Sequence, residues 1–305
     1  MTNSYYSSSE YSSSLEESSS EEEEIRPIVN WVGGKKKIID TILDNIPKKF
    51  NNYYEPFLGG GTVFLNIDFP KKAIINDFNK DLISLYNFLK EKPKELIKMI
   101  NNIQNNYNKL DSNDKRKEFF LKKREKINTL KNNYNLERAA LYLFMNKACF
   151  NGFMQVNKHN NLTCSFGQHK KLNLLKGNNL HNLSKLLSKN VSIKNGDYVK
   201  AISTAKKGDF VYSDSPYCPY DKTQCTIEYN KGHAWSYDDH MKYFNILDEL
   251  DKKGVYFMMS NSDSKIVRNW LKNRKYRVKR IPINRTVSAS IAKRAVQKEV
   301  LVMNY

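Results

Sequence analysis

From Ile25 onward, short apolar runs of strand length alternate with longer amphipathic stretches of helical period. This pattern predicts a mostly parallel sheet covered by helices on both faces. Residues 53–58, Tyr-Tyr-Glu-Pro-Phe-Leu, read as a strand ending in Gly59-Gly60-Gly61, with a helix expected from Thr62. Ala73-Ile74-Ile75-Asn76 reads as a second strand, ending at Asp77 and handing over to a helix that begins near Lys80. Between residues 91 and 175 the strand signal disappears. A charged helical stretch, 116–126, precedes an apolar one, 139–145, and the segment reads as an inserted or second domain. Strand-like runs return at 191–194, 210–213 and 255–260, and the runs 276–283 and 298–304 are expected to pair antiparallel at the sheet edge. No internal repeat is visible.

Residues 1–24 break the pattern: ten Ser, seven Glu and no Lys or Arg predict a disordered acidic tail outside the fold. The whole chain of 305 residues carries a formal net charge of +19, so everything after this tail is more basic than the total suggests. Such a field attracts polyanions in a salt-dependent way, which makes nucleic acid the leading partner. Lys- and Asn-rich composition is also what AT-rich coding produces. There is no run of eighteen apolar residues and no basic-then-apolar leader, so neither a membrane span nor a signal peptide is expected. The expectation is a soluble intracellular protein of the cytoplasm, nucleoid or a viral replication site. Cys149, Cys164, Cys218 and Cys225 form no CxxC pair, and their spacing to His159 and His169 suits neither a disulfide framework nor a zinc site.

Two features carry chemistry. Glycines at 59–61 permit close backbone approach to a ligand, and Asp77, closing the next strand, can hold both hydroxyls of a ribose. The turn is not G-x-G-x-x-G, which counts against a dehydrogenase. Gly33-Gly34-Lys35 is followed by Lys36 and not Ser or Thr, which counts against a phosphate-binding loop. The second feature is Asp214-Ser215-Pro216-Tyr217, directly after the run 210–213. Asp214 and the Ser215 carbonyl can accept the two N–H bonds of an exocyclic amine while Tyr217 stacks on its ring. Holding both hydrogens aims the nitrogen lone pair at an electrophile, which is the help an aryl amine needs to be methylated.

In order along the chain, Asn30-Trp31-Val32-Gly33-Gly34-Lys35, Glu55-Pro56-Phe57-Leu58-Gly59-Gly60-Gly61, Asn76-Asp77-Phe78-Asn79-Lys80-Asp81-Leu82, Phe150-Asn151-Gly152-Phe153, Ser165-Phe166-Gly167 and Asp214–Tyr217 resemble the Dam-type (D12 class) DNA adenine N6-methyltransferases. The resemblance spans about residues 28–305 and leaves out only the acidic tail. It implies an α/β, Rossmann-like methyltransferase sheet, formed by residues 25–90 and 176–305, with S-adenosylmethionine as cofactor and no metal. It also implies an inserted, mainly helical target-recognition domain with a β-hairpin, residues 91–175, that binds double-stranded DNA.

Carried over by position, Trp31 and Lys35 match the family's cofactor-contacting pair, Phe57 and Gly59 its methionine-side turn, and Asp77 its ribose acid. Asp197 corresponds loosely to an acid near the cofactor adenine. Asp214, Ser215, Pro216 and Tyr217 match the catalytic D-P-P-Y, with Asp214 also facing the cofactor. Asn30, Phe150, Asn151, Phe153, Gln155, Asn157 and Lys158 fall at DNA-contacting positions. Phe150 and Phe153 flank an expected hairpin tip at Asn151-Gly152, as wedges beside a flipped base or as hairpin core. The basic stretch with Arg116, Lys122, Lys123, Arg124 and Lys126 is a phosphate-contacting face or a solvated one. The family mechanism flips adenine out of the duplex and transfers the methyl directly to N6. A monomer is expected, with a cognate restriction endonuclease as a candidate partner.

Four positions depart from the family. Ser215 replaces the first Pro of D-P-P-Y and Ser165 the Pro before Phe-Gly; the carbonyl of Ser215 still accepts, at some cost in rigidity. Gln155 stands where GATC readers place an Arg, and Asn30 where they place a Lys. Arg and Lys suit guanine whereas Asn and Gln suit adenine, so a site other than strict GATC is expected. The alternatives are N-methylation of another planar amine, in RNA or a protein Gln, and a DNA-binding protein that has lost catalysis. Intact Trp31, Lys35, Asp77 and Asp214 argue against loss.

Overall fold

The computed structural model describes residues 24–219, 235–283 and 297–305. The acidic tail, save Glu24, and Cys225 lie outside the described residues. A seven-stranded sheet runs through the molecule: β1 (Tyr53–Glu55), β2 (Ala73–Asp77), β3 (Val191–Asn195), β4 (Phe210–Ser213), β5 (Tyr256–Ser262), β6 (Arg277–Ile283) and β7 (Gln297–Met303). Its order is β3-β2-β1-β4-β5-β7-β6, with β7 antiparallel to both neighbours and the other pairings parallel. The order reverses between β1 and β4, which creates a switch point where the carboxyl ends of two adjacent strands leave a crevice.

Alternation along each strand distributes side chains to two cores. Tyr53, Ile75, Phe210, Tyr212, Met258, Leu301 and Met303 point to one face. Tyr54, Ile74, Val211, Phe257, Met259, Val300 and Val302 point to the other, because successive residues of a strand face opposite ways. The second face is covered by α8 (Tyr237–Lys252) and α9 (Lys265–Leu271), with α7 (Tyr198–Ile202) beside them. The first is covered by α1 (Ile39–Leu43), α2 (Lys80–Glu91) and α6 (Asn179–Ser188), and beyond them by α3 (Pro93–Asn108), α4 (Asn113–Thr129) and α5 (Leu136–Ala148). Helices 3–5 therefore join the sheet's own core. Among the described residues no helix is long and apolar enough to cross a membrane.

Local chemistry sets the boundaries. Asn79, Ser112, Asn135, Ser236 and Ser264 cap α2, α4, α5, α8 and α9 by accepting first-turn N–H groups, and Pro93 opens α3. The last two strands pair antiparallel at the sheet edge, as expected, with β7 threaded between β5 and β6 and β6 outermost. Two expectations change. No α-helix forms from Thr62: a single 3-10 turn, Phe64–Asn66, ends in extended backbone at Ile67, and Pro70 follows within four residues. Asn151-Gly152 forms a 3-10 turn and not the hairpin tip. The chain reverses at residues 157–161, where Asn157 Oδ1 accepts the N–H of His159 and Asn161 and Asn160 takes φ of 59°. The hairpin is held by two isolated bridges, Cys149 with Phe166 and Val156 with Leu162.

One buried ion pair ties helices together, and one buried acid lies within the sheet. Arg138 on α5 makes a forked pair with Asp81 on α2, Nε–Oδ1 2.5 Å and Nη2–Oδ2 2.9 Å, and its Nη1 donates to the carbonyls of Ile127 and Leu130 at the end of α4. Truncation strands a carboxylate and two carbonyls, so Arg138→Ala is expected to lose about 3–5 kcal/mol in urea denaturation. Glu55 in β1 is 2% exposed and accepts from Tyr53 Oη at 2.5 Å. Burial lifts its carboxyl to about 8, against the relief given by Tyr53. The folded protein therefore keeps a proton that the unfolded chain loses, and stability falls as pH rises from about 4.5 to about 8. Glu55→Gln should remove this dependence: its stability relative to the parent is expected to rise through that interval and level off above it, read from denaturation midpoints across pH.

Candidate active site

At the switch point, β4 ends at Ser213 and delivers Asp214 into the crevice, against the end of β1. Asp214 Oδ2 lies 2.5 Å from Lys35 Nζ, and Lys35 also donates to the Gly33 carbonyl at 2.8 Å. A second carboxylate, Glu299 of β7, stands 3.5 Å from the same ammonium, and the Tyr217 ring centroid lies 5.1 Å away. Lys35 is only 6% exposed. Burial alone would lower its pKa, but Asp214, Tyr212 and Glu299 more than offset this and hold it above the ordinary lysine range. Burial raises Asp214, with Lys35 pulling it back, and burial raises Glu299 to about 7, again opposed by Lys35. The ammonium reaches this position because Gly33, at φ of 79°, turns the chain and Lys35 begins a 3-10 turn at its buried end.

Across the switch point, the glycine turn after β1 is clipped to the end of β2. Asp77 accepts the Gly59 N–H on Oδ2 at 2.9 Å and the Asn79 N–H on Oδ1 at 2.8 Å; burial nonetheless raises its pKa. Gly59 has φ of 51°, and a Cβ there would meet Trp31 Nε1 at 2.8 Å, so the indole lies directly on the bare turn. Asn76 Nδ2 donates to the carbonyls of Pro56 and Gly196 and thereby joins the ends of β1, β2 and β3. Tyr86 Oη is buried and has no hydrogen-bond partner among the described residues. Phe78, the residue after Asp77, is 55% exposed.

The structure brings Trp31, Gly59 and Asp77 together, and Lys35, Asp214 and Tyr217 together. Phe57 stands apart from Trp31. Its ring packs on Tyr198 at 5.1 Å, Trp235 at 5.8 Å and Tyr243 at 6.0 Å. Asp197 lies on the surface and accepts the Val199 N–H at 2.9 Å as the cap of α7.

The expected DNA-contacting residues divide into two kinds. Phe150 and Phe153 are 60% and 51% exposed, so neither is hairpin core. Asn151 at φ of 53°, Gln155, Asn157 and Lys158 are also exposed, although Asn157 spends its carbonyl oxygen on the turn. Asn30 is anchored. Asn146 pairs with its backbone N–H and carbonyl, Lys147 Nζ donates to its Oδ1 at 2.8 Å, and a Cβ on Gly152 would come within 2.5 Å of its Cβ. Burial lowers Lys147 to about 8. On the basic face of α4, Arg116 binds the Leu110 carbonyl and Arg124 the Cys164 carbonyl, whereas Lys122 and Lys126 stay exposed in surface pairs with Glu118 and Glu137.

Several residues of the site were not singled out in the sequence. Asn261, fully buried on β5, donates Nδ2 to Ser215 Oγ at 3.2 Å and accepts the Cys218 N–H at 2.9 Å. Ser262 Oγ donates to the Cys218 carbonyl, and Tyr243 Oη donates to Ser213 Oγ, each at 2.5 Å. His240 Nδ1 lies 3.3 Å from Cys218 Sγ, with burial pushing its pKa down to about 4. The available signal was the polar run Ser260-Asn261-Ser262 closing an otherwise apolar strand. Among the described residues no cluster of His, Cys, Asp and Glu has the makings of a metal site.

The D12 class N6 adenine-specific DNA methyltransferase family matches residues 31–288. The Type II methyltransferase M1.LlaDCHI of Lactococcus lactis subsp. cremoris is 33% identical over 284 residues, covering 92% of this chain and 96% of the relative. The Type II methyltransferase M.MjaIII of Methanocaldococcus jannaschii is 36% identical over 249 residues, covering 78% and 85%. The DNA adenine methylase of Salmonella typhi is 28% identical over 278 residues, covering 91% and 95%. With six motif blocks in order, this sheet and this switch-point site, the chain belongs to the D12 class of N6 adenine-specific DNA methyltransferases.

Proposed function

We propose that this chain methylates N6 of an adenine flipped out of double-stranded DNA, using S-adenosylmethionine, at a site other than strict GATC. The observation that carries this reading is the Lys35–Asp214 pair, held at 2.5 Å at the carboxyl end of β4. Lys35 engages Oδ2, which leaves Oδ1 for a substrate donor.

The residues fit a cationic nucleoside cofactor. The bare turn at Gly59 admits no side chain, Asp77 places a carboxylate at the strand end, and Asp77, Asp214 and Glu299 outnumber the single ammonium of Lys35. Trp31, Lys35, Phe57, Gly59, Asp77 and Asp197 are assigned to hold it. Bound there, S-adenosylmethionine supplies an electrophilic methyl group on a sulfonium.

The chain's own residues do the rest. Asp214 Oδ1 and the Ser215 carbonyl accept the two N6–H bonds, which draws the nitrogen lone pair out of conjugation with the ring. Tyr217 stacks on the flipped base. Positive charge that develops on N6 is met by Asp214, which accepts the surplus proton on Oδ1. Both half-sites come from one chain, which supports a monomeric enzyme. A cognate restriction endonuclease as partner rests on the resemblance alone. Residues 91–175 are assigned to DNA recognition, supported by the exposed Phe150, Phe153 and Lys158, with Gly152 between the two rings packed against Asn30.

Label transferred from S-adenosylmethionine to unmethylated genomic DNA is expected on adenine N6, and Asp214→Ala should lower it by about 100-fold or more. DNA binding without any label, in the parent chain, would instead identify a silent binding protein; label on RNA alone would redirect the substrate. Mapping the methylated positions tests the second half of the reading. Because Gln155 is exposed and suits adenine better than guanine, methylation is expected at sites with at least one outer G·C pair of GATC relaxed or replaced by A·T. Modification confined to GATC would overturn this.

A further inference from the structure

The two residues that flank Asp214 are both serines, and both are buried and tied by their side chains. Ser213 is 1% and Ser215 2% exposed. Ser213 Oγ accepts from Tyr243 Oη of α8 at 2.5 Å. Ser215 Oγ accepts from Asn261 Nδ2 of β5 at 3.2 Å. Asn261 then reaches past Ser215 to the far end of the loop, where its Oδ1 takes the Cys218 N–H at 2.9 Å. Ser262 closes the frame from the adjacent position by donating to the Cys218 carbonyl. The segment 213–218 is therefore gripped at its entrance, its middle and its exit by one tyrosine and one strand end.

We infer that Asn261 and Tyr243 are positioning residues, and that their hydrogen bonds to Ser215 and Ser213 replace the restraint of a proline ring in fixing the Ser215 carbonyl and Asp214 toward the substrate amine. This rests on the proposed role of that loop in adenine methylation. The physical argument concerns backbone freedom. A proline at 215 would fix φ near −65° and cut the conformations of the loop without any side-chain partner. Serine gives no such restraint, yet the carbonyl it carries must hold its direction within a few tenths of an ångström to grip an N–H bond. A hydroxyl fixed by a fully buried amide supplies that restraint from outside the backbone. The amide is itself pinned, because its oxygen is committed to Cys218 and only Nδ2 remains for Ser215.

Three variants separate this role from simple packing. Ser215→Ala keeps the backbone carbonyl and removes only Oγ. Tyr243→Phe keeps the ring that packs on Phe57, Tyr198 and Trp235 and removes only the hydroxyl. Ser215→Pro removes Oγ and restores restraint through the ring. Methyl transfer to DNA is expected to fall about 10-fold in kcat for Ser215→Ala and for Tyr243→Phe, the loss of one buried hydrogen bond, with KM for DNA and cofactor little moved. Ser215→Pro should recover most of what Ser215→Ala loses. Hydrogen exchange of residues 214–218, which needs no turnover, should speed up in Ser215→Ala and return toward the parent rate in Ser215→Pro. A kcat in Ser215→Ala equal to the parent, or an equal loss in the alanine and proline variants, would overturn the inference. If the parent chain transfers no methyl group to DNA, the adenine reading fails but the exchange pattern still decides whether the frame restrains the loop.

Discussion

The site depends on one buried ammonium. Lys35 is enclosed by Asp214, Glu299 and the Gly33 carbonyl, and its charge opposes the burial that raises both acids. The arrangement joins three parts of the chain that are far apart in sequence: the turn at 33–35, the end of β4 and the last strand. Asp214 cannot be placed without Lys35, and Lys35 cannot be buried without its two acids. The sheet order makes this possible, because β1 and β4 are neighbours at the switch point and β7 is threaded close enough to offer Glu299.

A second constraint is steric. The turn after β1 lies under Trp31 so closely that a single Cβ at Gly59 would collide with the indole. Asp77 then fastens the same residue through its N–H. The turn after β1 is thus a backbone surface held by one indole and one carboxylate, whereas the loop after β4 is held by side-chain hydrogen bonds. The two segments use different devices because a triple glycine has no side chains to tie, while Ser213 and Ser215 do.

Much of this was legible in the sequence. All seven strands and the helices beginning at Lys80 and around 139–145 follow from the apolar runs, and the helix around 116–126 from its charged, breaker-free stretch; the signal is plainest in β1, β2 and β4, which bury both faces. The motif residues Trp31, Lys35, Gly59, Asp77, Asp214 and Tyr217 stand in chain order with the spacing of the family. What escaped was set by tertiary context. The helix expected from Thr62 had the apolar content but too few residues before Pro70. The hairpin tip was placed at Asn151-Gly152 because that pair has turn chemistry, yet Asn157 has it too and closes the reversal with its own side chain. The charges of Arg116 and Arg124 looked available because sequence does not show which carbonyls lie within reach. Glu299, Asn261 and Tyr243 were silent for the same reason: each acts on a residue more than 25 positions away.

The threading of β7 between β5 and β6 also sets the order in which the site can be assembled. A chain emerging from the ribosome presents Lys35, the glycine turn, the recognition helices and Asp214 long before β7. Until that strand slots into the sheet, β5 and β6 cannot be joined and Lys35 lacks its second acid. Nascent chains would therefore hold the turn at 33–35, the glycine turn and Asp214 before Lys35 gains Glu299, and the strand that joins β5 to β6 is also the one that completes the charge cluster.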